Sequence, residues 1–223
     1  MVEEWPQLAR RYRSVALVGM DGSGKSTMAE WLRQRLKEQR KSVLLVHPFG
    51  RKLLSFLPAG SRSRVGAGAG SGRAGWAGRR LGQLAAVVEL TDIAAYVWVA
   101  HIRSFALAQR TGGEAWLVSD RSFDDLLVKH RRLRTLSARS LTRARRLVPA
   151  AQMTIWLRTE PEIAMGRDSD FAADYYQELH ATYASAAQQY GWNIVDTSNR
   201  SRAAVAADIE CLLGLSVSDV REP

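Results

Sequence analysis

The stretch Gly19-Met20-Asp21-Gly22-Ser23-Gly24-Lys25-Ser26-Thr27 constrains this chain more than any other. It satisfies G-x-x-x-x-G-K-[ST] at every fixed position. It lies between an apolar run, Val15-Ala16-Leu17-Val18, and a segment that carries Met28, Trp31, Leu32 and Leu36 at helical spacing. Strand, glycine loop and helix together give the pattern a mechanism. Gly19, Gly22 and Gly24 let the backbone turn tightly and aim its N–H groups at one point. The helix that starts there adds unpaired N–H groups and the positive end of its dipole. Such a cradle holds the phosphates of a nucleoside triphosphate, which makes Gly19, Gly22, Ser23, Gly24, Lys25, Ser26 and Thr27 the binding candidates. Lys25 carries the mobile charge that reaches the outer phosphates, and Ser26 offers a hydroxyl to Mg²⁺. The motif does not say what receives the phosphate.

A chain of 223 residues suffices for one α/β domain with a well-buried core. No uninterrupted apolar run approaches the length of a membrane span. The charged start of the chain, residues 1–13, does not look like a signal peptide. With one cysteine, Cys211, there is no intrachain disulfide, and a cytoplasmic location is expected. The formal charge of +10 is uneven, with no acidic residue between Glu38 and Glu89 or between Asp125 and Glu160. These basic windows suit anionic ligands. No zinc or RNA-binding signature accompanies them, so nucleic acid is not the expected partner.

Along the chain, strands are predicted at 14–18, 42–47, 115–119, 153–157 and 192–195. Helices are predicted at 25–40, 81–110, 126–148, from 160 to Arg167, at 173–190 and at 202–213. Residues 1–13 read as an amphipathic lead-in. The second strand is apolar throughout, as for a parallel strand covered on both faces. The Ala-Gly-Ser-Arg-rich stretch 59–80 reads as a mobile basic insertion, and 166–172 as a small lid. On the long helix, Leu84, Val87, Val88, Thr91, Ala95, Trp98, Ile102 and Phe105 recur at threes and fours and are expected to face the core.

In an open α/β sheet, ligands bind beyond the carboxyl ends of the strands. The turn after the second strand, His47-Pro48-Phe49-Gly50-Arg51-Lys52, is therefore a candidate acceptor wall, with Phe49 and Arg51 as contacts. His47 is expected to be a packed or capping histidine. Glu89 and Asp92 on the long helix are placed along the acceptor cleft. The third strand ends in Asp120-Arg121. A carboxylate there can hold Mg²⁺ or its water, or take a proton from an acceptor hydroxyl. Arg121 can stabilise charge on the transferring group. Asp124, just beyond, joins the acceptor candidates, while Asp125 reads as an early-turn acid favoured by the helix dipole. Arg131, Arg132 and Arg134 are candidates for an anionic substrate.

These features resemble the thymidylate kinase-like branch of the P-loop nucleotide kinases over nearly the whole chain. The resemblance rests on the Gly19–Thr27 loop, on Asp120-Arg121, on Ile155-Trp156-Leu157 with Glu160-Pro161-Glu162-Ile163-Ala164 leading to Arg167, and on Tyr176, Leu179 and Tyr183. It implies a three-layer α/β/α fold with a five-stranded parallel sheet. It implies ATP on the loop, Lys25, Asp120 and Arg121 at the transfer point, and Arg167 as a lid arginine. Ser26 and Asp120 would serve the metal, and Asp21 would contact the acceptor sugar. It further implies a nucleoside monophosphate such as dTMP as acceptor, and a homodimer through the long helices.

The sequence departs from that family on the acceptor side. His47-Pro48-Phe49-Gly50 stands where an Arg-Glu-Pro-Gly-Gly turn is usual. Glu89 and Asp92 stand where a phosphate-binding arginine is usual, and the lid has one arginine instead of several. The stretch from Asp120 to Arg132 is more similar to thymidylate kinase-like proteins found with bacterial polysaccharide genes. Asp120-Arg121-Ser122 also resembles the Glu-Arg-Ser motif of deoxynucleoside kinases. A sugar, glycan precursor or nucleoside hydroxyl is thus the alternative acceptor. A nucleotide-binding regulator without transfer activity is the second alternative.

Overall fold

The computed structural model describes residues 12–48, 76–168 and 170–215. Five parallel strands form one sheet in the order β2-β3-β1-β4-β5. They are β1 (Tyr12–Val18), β2 (Ser42–Val46), β3 (Ala115–Asp120), β4 (Met153–Arg158) and β5 (Asn193–Asp196). The helices are α1 (Lys25–Glu38), α2 (Trp76–Thr111), α3 (Phe123–Arg132), α4 (Ala138–Arg146), α5 (Pro161–Arg167), α6 (Ala173–Tyr190) and α7 (Arg202–Leu213).

Successive strand side chains point to opposite faces, so each central strand feeds two cores. Val15 and Leu17 of β1, Trp116 and Val118 of β3, and Ile155 and Leu157 of β4 pack with Met28, Leu32 and Leu36 of α1 and Ile209 of α7. On the other face, Val18 and Trp156 meet Val128 of α3 and Tyr176, Leu179 and Tyr183 of α6. Leu117 meets Val46 and Ala100 of α2. The β2 prediction needs correcting in one respect: Ser42 to Leu45 are half-buried, because β2 is the edge strand.

The long helix differs more. Its first turn is Trp76–Arg80, the end of the stretch expected as a mobile insertion; residues 59–75 of that insertion lie outside the described residues, as do residues 1–11. The face it presents to the protein is not the predicted one. Ala86, Leu90, Asp92, Ile93, Ala100, Ser104 and Ala108 are buried, whereas Leu84, Val87, Val88, Trp98, Val99 and Ile102 are exposed. The segment is apolar nearly all round, so periodicity alone cannot choose the inward face. The inner row carries the smaller side chains, which bring the helix close to the sheet. By length and composition, Gly82–Thr111 could cross a membrane. In the fold it packs on α3 through Leu90 and Ile93, and on β2 and β3 through Ala100.

The predicted helix 126–148 is two helices. Arg134 takes a left-handed φ of 51°, and Ser137 starts α4 afresh by accepting from the Ser140 amide at 3.2 Å. Ser137 is a helix-start signal of a standard kind that the charge pattern obscured.

Candidate active site

The glycine-rich turn follows β1 and opens into α1. Two of its glycines are required by geometry. Gly19 has φ +149°, and a Cβ there would lie 2.8 Å from the Leu157 carbonyl oxygen. Gly22 has φ +79°, and a Cβ there would lie 2.8 Å from the Ala164 oxygen. Gly22→Ala is therefore expected to displace the loop from α5 and weaken ATP binding at least about tenfold, with a stability loss of about 1–2 kcal/mol from the left-handed backbone alone. Gly166→Ala, where an added Cβ meets nothing within 4 Å, should leave both unchanged. ATP titration and denaturant unfolding of the two variants read this contrast.

No side chain caps the start of α1 at Gly24, so its first amides stay available to an anion. Ser26 and Thr27 are exposed on this first turn, whereas Ser23 is 1% exposed and turned inward, its amide donating to the Met20 oxygen at 3.2 Å. The Lys25 ammonium donates to the Met20 oxygen at 2.5 Å and lies 3.9 Å from Asp21. Burial pushes this ammonium down in pKa, against the pull of Asp125 and Asp21.

Three further elements bring charged groups to the same turn. β3 pairs with β1 so that Asp120 lies opposite Leu17, two residues before Gly19. The Arg121 amide donates to the Leu17 oxygen at 3.1 Å, and the Arg121 guanidinium donates to Asp21. Arg121 has φ 75°, an uncommon backbone for a residue with a side chain and one that collects at functional sites. From α5, Arg167 donates to the Gly22 oxygen at 3.3 Å and the Thr197 oxygen at 3.4 Å. Lys25, Asp21, Arg121 and Arg167 are thus brought together.

Asp125 belongs to this site, although its sequence position reads only as a dipole-favoured acid. Its carboxylate accepts from the Gly19 amide at 3.2 Å, the Ser122 amide at 2.7 Å and the Tyr183 hydroxyl at 2.6 Å. With Ser122 it forms a capping box, and the Ser-x-x-Asp pattern preceding an apolar run was the signal for it. Burial pushes its carboxyl up in pKa, against the Lys25 charge and these hydrogen bonds.

The acceptor-side candidates are placed variously. Asp120 is 4% exposed, and its Oδ2 lies 3.0 Å from the His47 Nδ1 at the tip of β2. Asp124 accepts from the Arg145 Nε at 2.7 Å and, with Pro48, Tyr96, Ser119 and Ser122, lines a small cleft between the sheet and α2. Glu89 meets Lys129 at 2.7 Å and His130 at 3.3 Å; burial works to raise its carboxyl, but these partners outweigh it and hold the pKa at about 2. Asp92 is buried at 6% exposure. Phe49 and Arg51 lie outside the described residues. Arg131 donates to Gln189 and Ser185, and Arg132 stacks over Tyr175 at 4.4 Å.

The donor set suits Mg²⁺. The Ser26 hydroxyl is a hard oxygen on an exposed helix start, and Mg²⁺ that arrives with a triphosphate takes most of its ligands from phosphate and water. Among the described residues, no cluster of three or more His, Cys, Asp or Glu side chains forms a separate metal cage.

No family model matches the sequence, and no curated protein matches it. Solved structures do. Thymidylate kinase from Ehrlichia chaffeensis is similar at a TM-score of 0.61 and 14% identity, over 91% of this chain and 98% of that one. Deoxyadenosine kinase from M. mycoides with bound dATP matches at a TM-score of 0.48 and 13% identity, over 90% of this chain and 99% of that one. At such identities the likeness establishes the fold: a five-stranded parallel sheet with flanking helices, the P-loop kinase architecture of thymidylate kinase.

Proposed function

We propose that this protein is a Mg²⁺- and ATP-dependent phosphotransferase acting on a small-molecule acceptor. The observation that carries the reading is the convergence of Lys25, Arg121 and Arg167 on a turn that requires glycine at positions 19 and 22 and whose helix start is uncapped. A triphosphate laid on the turn is held by the amides of the first turn of α1 and by Lys25. Arg121 and Arg167 flank the outer phosphate and neutralise the charge that spreads over it during transfer. Ser26 would hold Mg²⁺, which would supply positive charge to the phosphates.

Two acceptor classes are in view. A nucleoside monophosphate such as dTMP comes first from the fold shared with a thymidylate kinase. A compound offering a bare hydroxyl is the alternative, because Glu89 and Asp92 stand in the sequence where the resemblance would put a phosphate-binding arginine. Transfer from γ-labelled ATP to nucleoside monophosphates, nucleosides and sugars tests the reading. Label transferred to any of them supports it; ATP binding with no transfer to any marks a nucleotide-binding regulator instead.

The exposed row Leu84, Val87, Val88, Trp98 and Ile102 on α2 supports association with a second copy as part of the same proposal, because monomers seldom leave such a continuous apolar face in water. Sedimentation should give a dimer, and Ile102→Glu a monomer with an unchanged melting temperature. A wild-type protein that sediments as a monomer at micromolar concentration contradicts this part.

A further inference from the structure

A histidine stands where two parallel strands end side by side. Val46 of β2 is in register with Ser119 of β3, so the next residues, His47 and Asp120, fall opposite each other. Their side chains meet, Nδ1 to Oδ2 at 3.0 Å. The carboxylate is 5% exposed and the imidazole 53%. A carboxylate oxygen accepts hydrogen bonds, so Nδ1 carries the hydrogen. The lone pair of the neutral ring is then on Nε2, at the exposed edge. A buried carboxylate behind a half-exposed imidazole is the arrangement that fixes the tautomer of a general base. Among the described residues the other Asp120 oxygen, Oδ1, is buried without a hydrogen-bond partner, and the imidazole is the group that bonds this carboxylate.

The pair lies on the acceptor side. β3 separates β2 from β1, so the tip of β2 stands two strand spacings, about 10 Å, from the strand that feeds the phosphate loop. Between them runs Asp120-Arg121, with Arg121 already on Asp21 of the loop.

The need for a base separates the two acceptor classes. A phosphomonoester loses its second proton near pH 6, so its oxygens are already bare at neutral pH. An alcohol keeps its proton until the transition state. A histidine held by a carboxylate therefore has work to do only when the acceptor is a hydroxyl compound.

We propose that His47 is the general base for transfer to an acceptor hydroxyl, with Asp120 as its positioning residue, and that the substrate class is a neutral hydroxyl compound such as a nucleoside or sugar. This rests on the phosphotransferase reading above. In the step, the hydroxyl oxygen bonds to the γ-phosphorus and the bond from that phosphorus to the β–γ bridging oxygen breaks. Nε2 takes the hydroxyl proton and passes it to water, leaving ADP and a phosphomonoester.

The test compares hydroxyl and phosphate acceptors with the wild type, His47→Asn and His47→Ala. The Asn amide can keep a hydrogen bond to Asp120 but cannot take the proton. Label should go to a hydroxyl acceptor in the wild type. Both variants should lose about 10²–10⁴-fold in kcat with ATP affinity retained, and His47→Asn, which keeps the hydrogen bond to Asp120, should also retain the melting temperature. Added imidazole should restore part of the loss in His47→Ala. Three results overturn the proposal while leaving the phosphotransferase reading intact: transfer to nucleoside monophosphates alone, hydroxyl transfer with His47→Ala as active as wild type, or full activity in His47→Asn. Transfer to no acceptor of either class overturns both.

Discussion

Lys25→Met is expected to reduce phosphoryl transfer by on the order of 10²–10³ or more in kcat while the chain still folds. Methionine keeps the length and apolar stem of the side chain and removes its charge. The ammonium is 4% exposed and is held by the Met20 oxygen and by Asp21. It is therefore preorganised at the loop, and a fixed cation there acts on developing phosphate charge without reorganising at the moment of transfer. In the free protein, burial works against that charge, and Asp125 and Asp21 work for it. These acids thus oppose the effect of burial on the Lys25 ammonium. A triphosphate takes over part of that role by supplying anionic oxygens. The loss should then be larger in kcat than in the melting temperature of the free protein, which single-turnover transfer and thermal unfolding measure separately. A Lys25→Met protein with wild-type turnover removes the phosphate site from the mechanism.

What the sequence disclosed and what it withheld divide along one physical line. The loop, the five strands, the helices α6 and α7 and the Asp120-Arg121 tip depend on local chemistry: glycines at fixed spacing, apolar runs and cap residues. These could be read from a single stretch. Three other features depend on contacts between distant residues. The inward face of α2 is chosen by what it packs on, Leu117 and Val46 through Ala100, and an all-round apolar helix gives no hint of it. Asp125 meets the Gly19 amide across 106 positions of sequence, so a rule about helix dipoles could see only its weaker role. His47 and Asp120 lie 73 positions apart and meet because of the parallel register of β2 with β3. Before the strand order is known, a histidine after a strand is more often a packing residue than a base.

Asp125→Ala is expected to destabilise the fold by about 3–5 kcal/mol and to loosen the phosphate loop even where the protein still folds. The carboxylate accepts three hydrogen bonds from three elements: the Gly19 amide after β1, the Ser122 amide at the cap of α3, and the Tyr183 hydroxyl on α6. Tyr183 is 4% exposed, and burial beside this acid lifts its hydroxyl pKa well above the usual value, so it stays a donor. Alanine leaves the buried Gly19 and Ser122 amides without this acceptor, the Tyr183 hydroxyl keeping only the Gly19 oxygen at 3.0 Å, and leaves Lys25 without its main counter-charge. Each loss alone is of the size of one or two kcal/mol. Asp125→Asn should cost less, because the amide oxygen can still accept from Gly19 and Tyr183 while its NH₂ faces the Ser122 amide. The order Ala worse than Asn follows only if the acid is a three-way acceptor; a helix-dipole role would make the two variants alike and mild. Denaturant midpoints at constant slope read this order. A cycle with Lys25→Met should show a coupling of about 0.5–3 kcal/mol between the two sites. If Asp125→Ala costs less than about 1 kcal/mol, the joint between the loop, α3 and α6 is not what holds Gly19 in place, and the rigidity assigned to the phosphate site must come from its glycines alone.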